Sequence, residues 1–250
     1  MSDQDLIGVI PAAGAGLRLG LPYPKELYPI IRDNRYKPVA QHVLENMVAV
    51  GVEHVVFVIN ETKHQLIGYF GDGRRFGCRV SYAYQGRERR GTGGSSGLAE
   101  ALDSAHHLVG ERTVVFGMAD TIITPVDALR PLLARPPGGG PDLHLGLFHT
   151  DAPQRVGAVE HDEGGRVTRI VDKETGHGLT EMWGCIVWRP RFTSFLHERV
   201  ADSAAPDFAT IMNEALARGF DVRATRLADA TYTDVGTYEE ISSLEDRQSR

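Results

Sequence analysis

Apolar positions along the chain fall into two rhythms. Short continuous runs, Leu6 to Ile10 and Val52 to Asn60, read as buried strands. Between them Val39, Val43, Leu44, Met47 and Val50 recur at helical spacing, which predicts an amphipathic helix over Val39 to Val50 with Pro38 in its first turn. Lys63 to Phe70 is expected as a short helix ended by Gly71-Asp72-Gly73. Arg79 to Tyr84 alternates like a strand, Gly97 to Val109 reads as a helix, and Thr113 to Gly117 as another strand. Strands alternating with helices predict an α/β fold with a doubly wound, mostly parallel sheet. In such sheets ligands sit outside the carboxyl ends of the strands. The loops after Ile10, Gln85 and Phe116 are expected on that edge.

The pattern changes after Ala134 to Asp142 (ARPPGGGPD), which reads as a surface connection too short to separate independent domains. Leu143 to Phe148, Gly157 to His161, Val167 to Asp172 and Met182 to Trp188 are predicted strands with few helices between them. Gly164-Gly165 marks a hairpin turn. Arg191 to Val200 and Phe208 to Arg218 follow as helices, Asp221 to Leu227 as a strand, and a terminal helix after Tyr238. The expectation is one domain over residues 1–250, with a first half to residue 133 and a strand-rich second half from residue 143.

Composition narrows this picture. A hydrophobic content of 42% and a charged content of 24% suit an ordinary globular chain. The net charge of −6 argues against a nucleic-acid partner, so affinity for phosphates must come from local basic residues. The two cysteines, Cys78 and Cys185, suggest neither a disulfide framework nor a zinc site, and the histidines show no ligand spacing. Without an N-terminal apolar signal region or a run of about 18 apolar residues, no membrane span is expected, and the expected location is the cytoplasm.

Candidate chemistry concentrates where the first strand ends. Ala12, Ala13, Gly14 and Gly16 form a small-residue loop whose backbone N–H groups can cradle an anion. Arg18 and Lys25 bring two fixed positive charges to the same place. A dinucleotide fingerprint would need a helix directly after the glycines and an acid about 20 residues on. Pro22 and Pro24 break any such helix, and Glu61 comes too late. A polyphosphate fits the loop better. Asp120, after the strand Thr113 to Phe116, and Asp234, late in the chain, are carboxylates that can share one Mg²⁺ with substrate phosphates. Each also fits a helix or turn cap.

The segment Gly14, Gly16, Arg18, Pro24, Lys25 resembles the signature of the sugar-phosphate nucleotidylyltransferases, the family that includes the glucose-1-phosphate thymidylyl- and uridylyltransferases. The resemblance implies a Rossmann-like core, with the first half binding the nucleotide and the second the acceptor. It implies Arg18 and Lys25 as catalytic residues and Mg²⁺ on Asp120 and Asp234, although Met118 and Ala119 separate Gly117 from Asp120. Gln85 and Gly97 match positions that hold the base in pyrimidine-specific members; the Gly91 to Ser95 segment is instead similar to the guanylyl-transferring branch. Gly157, Asp172, Lys173 and Gly184 match acceptor positions, with Asp172 and Glu174 replacing the family's Glu and Pro around the lysine. The reaction implied joins a sugar 1-phosphate to a nucleoside triphosphate, dTTP or UTP, and releases pyrophosphate. The altered acceptor motif leaves open phosphocholine, a phosphonate or a cyclitol phosphate with a cytidylyl or guanylyl donor. A non-catalytic nucleotide-binding regulator is the reading from a different class. The family often forms homo-oligomers, for which the sequence offers no readable interface.

Overall fold

Leu6–Pro11 forms the first strand, β1, and leads into a 3-10 turn at Lys25–Leu27. A hairpin of β2 (Pro29–Arg32) and β3 (Arg35–Pro38) runs into helix α1 (Val39–Ala49). Then come β4 (His54–Ile59), α2 (His64–Phe70), β5 (Arg79–Tyr84), α3 (Leu98–Ser104), α4 (His106–Val109), β6 (Thr113–Gly117) and β7 (Thr121–Thr124). The remainder comprises β8 (Leu143–His149), β9 (Gly157–His161), β10 (Val167–Asp172), β11 (Glu181–Trp188), α5 (Pro190–Ala201), α6 (Phe208–Ala217), β12 (Val222–Arg226) and β13 (Thr231–Asp234). The computed structural model describes residues 6–14, 16, 20–32, 35–86, 97–134, 139–202 and 207–236. Arg18, the Gly91 to Ser95 segment and the terminal helix expected after Tyr238 lie outside these residues.

The fold is mixed α/β around a mainly parallel central sheet. β1 lies between β6 and β4, both parallel to it, and β5 extends the sheet parallel to β4. The carboxyl ends of these strands therefore share one edge, as the alternation of elements predicts. Beyond β6 the direction reverses. β11 pairs antiparallel with β6, β8 antiparallel with β11, and β12 parallel with β8.

One detail of register positions the second half. β8 runs along one side of β11, pairing with Met182 and with Cys185. On the opposite side Cys185 pairs with Gly117 of β6, and Met182 with Ala158 of β9. β9 thus begins just past the carboxyl end of β6, and β10 pairs with it through Asp172 and Gly157. Helix α6 clips β10 in place: Asn213 accepts from the Ile170 N–H at 3.0 Å and donates to the Ile170 carbonyl at 2.7 Å.

Side-chain alternation builds a core on each face of the sheet. Ile7, Val9, Val56, Val58, Val114 and Phe116 pack under α3, α5 and α6. Ile10, Val55, Phe57, Ile59 and Val115 pack under α1 and α2. Asp207 caps α6, its carboxylate accepting from the Thr210 N–H at 2.9 Å.

One expectation needs correction, and two ribbons were not foreseen. The single helix over Gly97 to Val109 is broken at Ala105 into α3 and α4. Ser104 Oγ donates back to the Glu100 carbonyl at 2.9 Å, and such back-bonding competes with helix continuation. The two ribbons β2–β3 and β7–β13 were not visible as periodicity, because each strand has only four residues.

Candidate active site

The edge formed by β1, β4, β5 and β6 carries a cleft of about 190 Å³. Its lining includes Ala13, Gly14, Lys25, Gln85, Gly97 and Asp120, so six sequence-predicted site residues meet in one hollow. Ala12 lies beneath, buried, its N–H donating to the Val58 carbonyl at 2.8 Å. Gly16, at φ 63°, faces a neighbouring hollow of about 210 Å³ that Lys25 also lines. A side chain would be strained at that φ, which is why a glycine serves there.

Lys25 is the central charge. Its ammonium forms an ion pair with Asp120, both side chains being only about 15% exposed. Burial pulls the ammonium pKa down, but the carboxylates of Asp120, Glu26 and Asp234 outweigh it and hold it above its ordinary value. The lysine is thus a fixed cation at neutral pH.

Asp120 and Asp234, far apart in sequence, are joined by a short antiparallel ribbon. Thr121 pairs with Asp234 across β7 and β13, and the Val235 N–H donates to the Asp120 carbonyl at 2.9 Å. Enclosure, then the negative charges of Asp234 and Asp120, push the Tyr232 phenol well above its ordinary pKa. Two carboxylates on adjacent backbone are hard oxygen donors of the kind Mg²⁺ takes. Among the described residues no group of three or more His, Cys, Asp or Glu side chains forms a metal cage. Asp120 and Asp234 are the carboxylates at this edge that could hold a divalent ion.

Gln85 directly follows β5 with its side chain buried in the cleft wall, and its backbone N–H donates to the Ile59 carbonyl at 2.8 Å. Its Nε2 is buried with no hydrogen-bond partner among the described residues. A buried amide donor left unpaired costs free energy unless a ligand supplies the acceptor.

None of the second-half residues is among those lining the two hollows: Lys173 is exposed, Asp172 half-buried, and Gly157 and Gly184 are buried. Lys173 adopts φ 54°, its N–H donates to the Val156 carbonyl at 3.2 Å, and its ammonium stands 3.8 Å from Asp172. Gly157 and Gly184 have a packing reason to be glycine. A Cβ on Gly157 would stand 2.2 Å from Trp183 Nε1, and one on Gly184 2.6 Å from the Tyr232 ring. Contacts that close are not sustainable without moving the rings.

With this edge in view, comparison with known proteins decides the family. The sequence model of the nucleotidyl transferase family matches residues 7–248. The chain belongs to that family. It is 28% identical over 198 residues to a glucose-1-phosphate thymidylyltransferase of Streptomyces griseus, covering 77% of this chain and 51% of that protein. The chain thus spans about half the length of this curated relative. Among solved structures it resembles one from Bacillus anthracis assigned as a glucose-1-phosphate thymidylyltransferase in complex with sucrose, with TM-score 0.80 and 20% identity over 97% of this chain and 95% of that one. It also resembles the inositol-1-phosphate CTP transferase of T. maritima, with TM-score 0.77 and 17% identity over 97% and 94% of the two chains. These two likenesses establish the nucleotidyl transferase fold.

Three residues of this nucleotidyl transferase edge escaped sequence reasoning. Asn60 Nδ2 donates to the Ala13 carbonyl at 2.6 Å and so ties the glycine loop to the end of β4. Glu26, the residue after Lys25, forms a buried ion pair with Lys63. Burial pushes the Glu26 carboxyl up, against the opposing pull of Lys63. The only local signal was Glu26 itself, a charge next to Lys25 in a proline-bracketed segment; its partner is 37 positions away.

Proposed function

We propose that this nucleotidyl transferase joins a sugar 1-phosphate to a nucleoside triphosphate, dTTP or UTP, and releases pyrophosphate. The observation that carries the proposal is the convergence of Lys25, Asp120 and the unpartnered Gln85 amide on one cleft beside the glycine loop. The similarity to the S. griseus thymidylyltransferase supports the choice of base and sugar.

The nucleophile is a phosphate oxygen of the acceptor, already anionic, so no general base is required. What the step needs is alignment of two polyanions and neutralisation of charge developing on the leaving pyrophosphate. Fixed cations in a low-dielectric cleft do both. Lys25 holds the α-phosphate, exchanging part of its interaction with Asp120 for the phosphate oxygens. Arg18 and the backbone donors of Gly14 and Gly16 hold the departing phosphates. Gln85 offers its free N–H to a carbonyl of the base, and Gly97 admits the base closely. Lys173 binds the acceptor phosphate, with Asp172, Gly157 and Gly184 bordering it. When bound by Asp120 and Asp234, Mg²⁺ adds Lewis-acid charge neutralisation at the phosphates.

A second reading keeps the nucleotidyl transfer and changes the acceptor to a phosphorylated alcohol other than a sugar 1-phosphate. It is favoured by Glu174, which stands where the family motif has proline and pairs with Arg169 at 3.3 Å. Pyrophosphate release measured across four triphosphates and a panel of acceptors, with Mg²⁺, tests both. Turnover with dTTP or UTP and a hexose 1-phosphate is the expected result. Turnover with only a non-sugar acceptor selects the second reading, and binding without release under every pairing defeats both.

A further inference from the structure

Lys25 sits in a segment with little means of holding itself. The 3-10 turn Lys25–Leu27 is a single turn, and its flanking residues Pro24 and Tyr28 are extended, at φ/ψ −54°/131° and −55°/129°. One isolated turn fixes several dihedrals for very few hydrogen bonds and is not stable alone. Contacts from outside hold the far end of this turn, the Tyr36 hydroxyl donating to the Leu27 carbonyl at 2.9 Å and the Val39 N–H to the Tyr28 carbonyl at 3.1 Å, but the Lys25 end needs an anchor of its own.

The next residue supplies it. Glu26 is 1% exposed and both its carboxylate oxygens accept from Lys63 Nζ, at 2.9 and 2.8 Å. Lys63 is 3% exposed and anchored at the turn that follows β4: its N–H donates to the Asn60 carbonyl at 3.1 Å, and its own carbonyl accepts from Leu66 at 3.0 Å. Asn60, in the same turn, holds the Ala13 carbonyl. The short stretch Asn60–Lys63 therefore grips both the glycine loop and the Lys25 turn. Glu26 lines the cleft that holds Gln85 and Asp120, Lys63 lines the adjoining hollow with Gly16, and Lys25 lines both.

We propose that the buried Glu26–Lys63 ion pair is a positioning unit for Lys25, holding its ammonium on the reaction axis between the two hollows. The pair carries no net charge, so it adds no attraction for phosphates as a unit. Nor is it a good device for stability, because desolvating two ions costs about as much as their attraction returns, and an apolar pair of similar volume often does as well. What a buried bidentate pair does provide is a single geometry.

The inference rests on the nucleotidyl-transfer reading above, and the experiment separates the two. Pyrophosphate release and thermal melting are measured for the wild-type chain, for Glu26→Gln/Lys63→Met, for Lys25→Ala and for all three substitutions together, and the double variant is crystallised. The double variant is expected to melt near the wild type, to lose kcat about tenfold or more through misplacement of Lys25, and to keep its KM for the acceptor. Added to Lys25→Ala it should cost less than about twofold further, because its effect passes through a side chain already removed. Its crystal structure should show the Lys25 ammonium away from Asp120. If the double variant does not fold, Glu26→Asp, which keeps both charges but shortens the reach to Lys63, is read in the same way. A kcat within about twofold of wild type, a loss that multiplies in full on Lys25→Ala, or an unchanged Lys25–Asp120 contact overturns the proposal. A wild-type chain that never releases pyrophosphate defeats the activity reading, and the Lys25–Asp120 contact in the crystal then judges the ion pair by itself.

Discussion

Lys25 and Lys173 are both proposed to hold phosphates, yet the first is about 15% exposed and locked on Asp120, while the second is 69% exposed and 3.8 Å from Asp172. The proposed donor side is held in place by its own neighbours. Its cation is flanked by three carboxylates, its glycine loop is tied down by Asn60, and its turn is gripped through Glu26. The acceptor side offers charges in contact with water. A fixed charge in a partly dry cleft acts strongly and needs no reorganisation, whereas an exposed one is screened and must first be ordered. On the reading proposed above, rate depends on the Lys25 side and acceptor choice on the Lys173 side.

Substitutions can break that contrast. The largest effect is expected from Lys25→Ala, which should lower kcat about 10²-fold or more in a pyrophosphate-release assay. Near-normal turnover would remove the donor-side mechanism. Gly157→Ala should destabilise the chain by about 1–3 kcal/mol, since the new methyl group overlaps the Trp183 ring. Urea titration reads this, and an unchanged midpoint would mean that the acceptor edge is more yielding than its packing suggests. Lys173→Ala should raise the acceptor KM only a few-fold, in keeping with about 0.2–1 kcal/mol for an exposed ionic contact, and leave the triphosphate KM alone. A kcat loss as large as that of Lys25→Ala would erase the distinction between the two lysines.

The smallest effect concerns pH. His161 Nε2 is 2.9 Å from Glu181, which also binds Arg226. The backbone hydrogen bond to Asp162, joined by Glu181 and opposed by burial, holds the imidazole above its ordinary value of 6.5. Its contribution is therefore complete below that value and is lost as pH rises through the raised one. Burial pushes Glu181 up, but His161 and Arg226 outweigh it and hold the carboxyl below 4.5, so its contribution is present above that value and lost as pH falls. The pair is worth most between these limits, under about 1 kcal/mol. The melting-temperature difference between wild type and His161→Gln should shrink from pH 6 to pH 8. A difference that grows over that range has the wrong sign for this pair.

Much of the scaffold was legible because its signals are local. β5, β9, β10 and β6 coincide with their predicted spans, since apolar runs bounded by turns declare themselves. The glycine loop, Lys25 and Asp120 could likewise be picked out as residue types suited to phosphate and metal, and Gln85 through the family resemblance; the fold brings them to one cleft. What escaped was whatever depends on distant pairing. Asp120 and Asp234 were expected to share one ion, but nothing near Thr121 says that a four-residue ribbon will hold Asp234 beside it, because such a ribbon has no partner until the rest of the sheet forms. Trp183 gives no local hint that Gly157 leaves room for its ring.

The order of residues by itself determined the alternation of strands and helices, the small-residue turn after β1 and the types of charge that gather around it, because periodicity, backbone freedom and side-chain chemistry are properties of short stretches. Only the tertiary structure decided which of those charges are fixed and which are free. Lys25 and Lys63 are the same residue type, but folding sets one against Asp120 at the cleft and withdraws the other onto Glu26. Burial and partnership are made by chain segments that meet from far apart, and no window of sequence contains both.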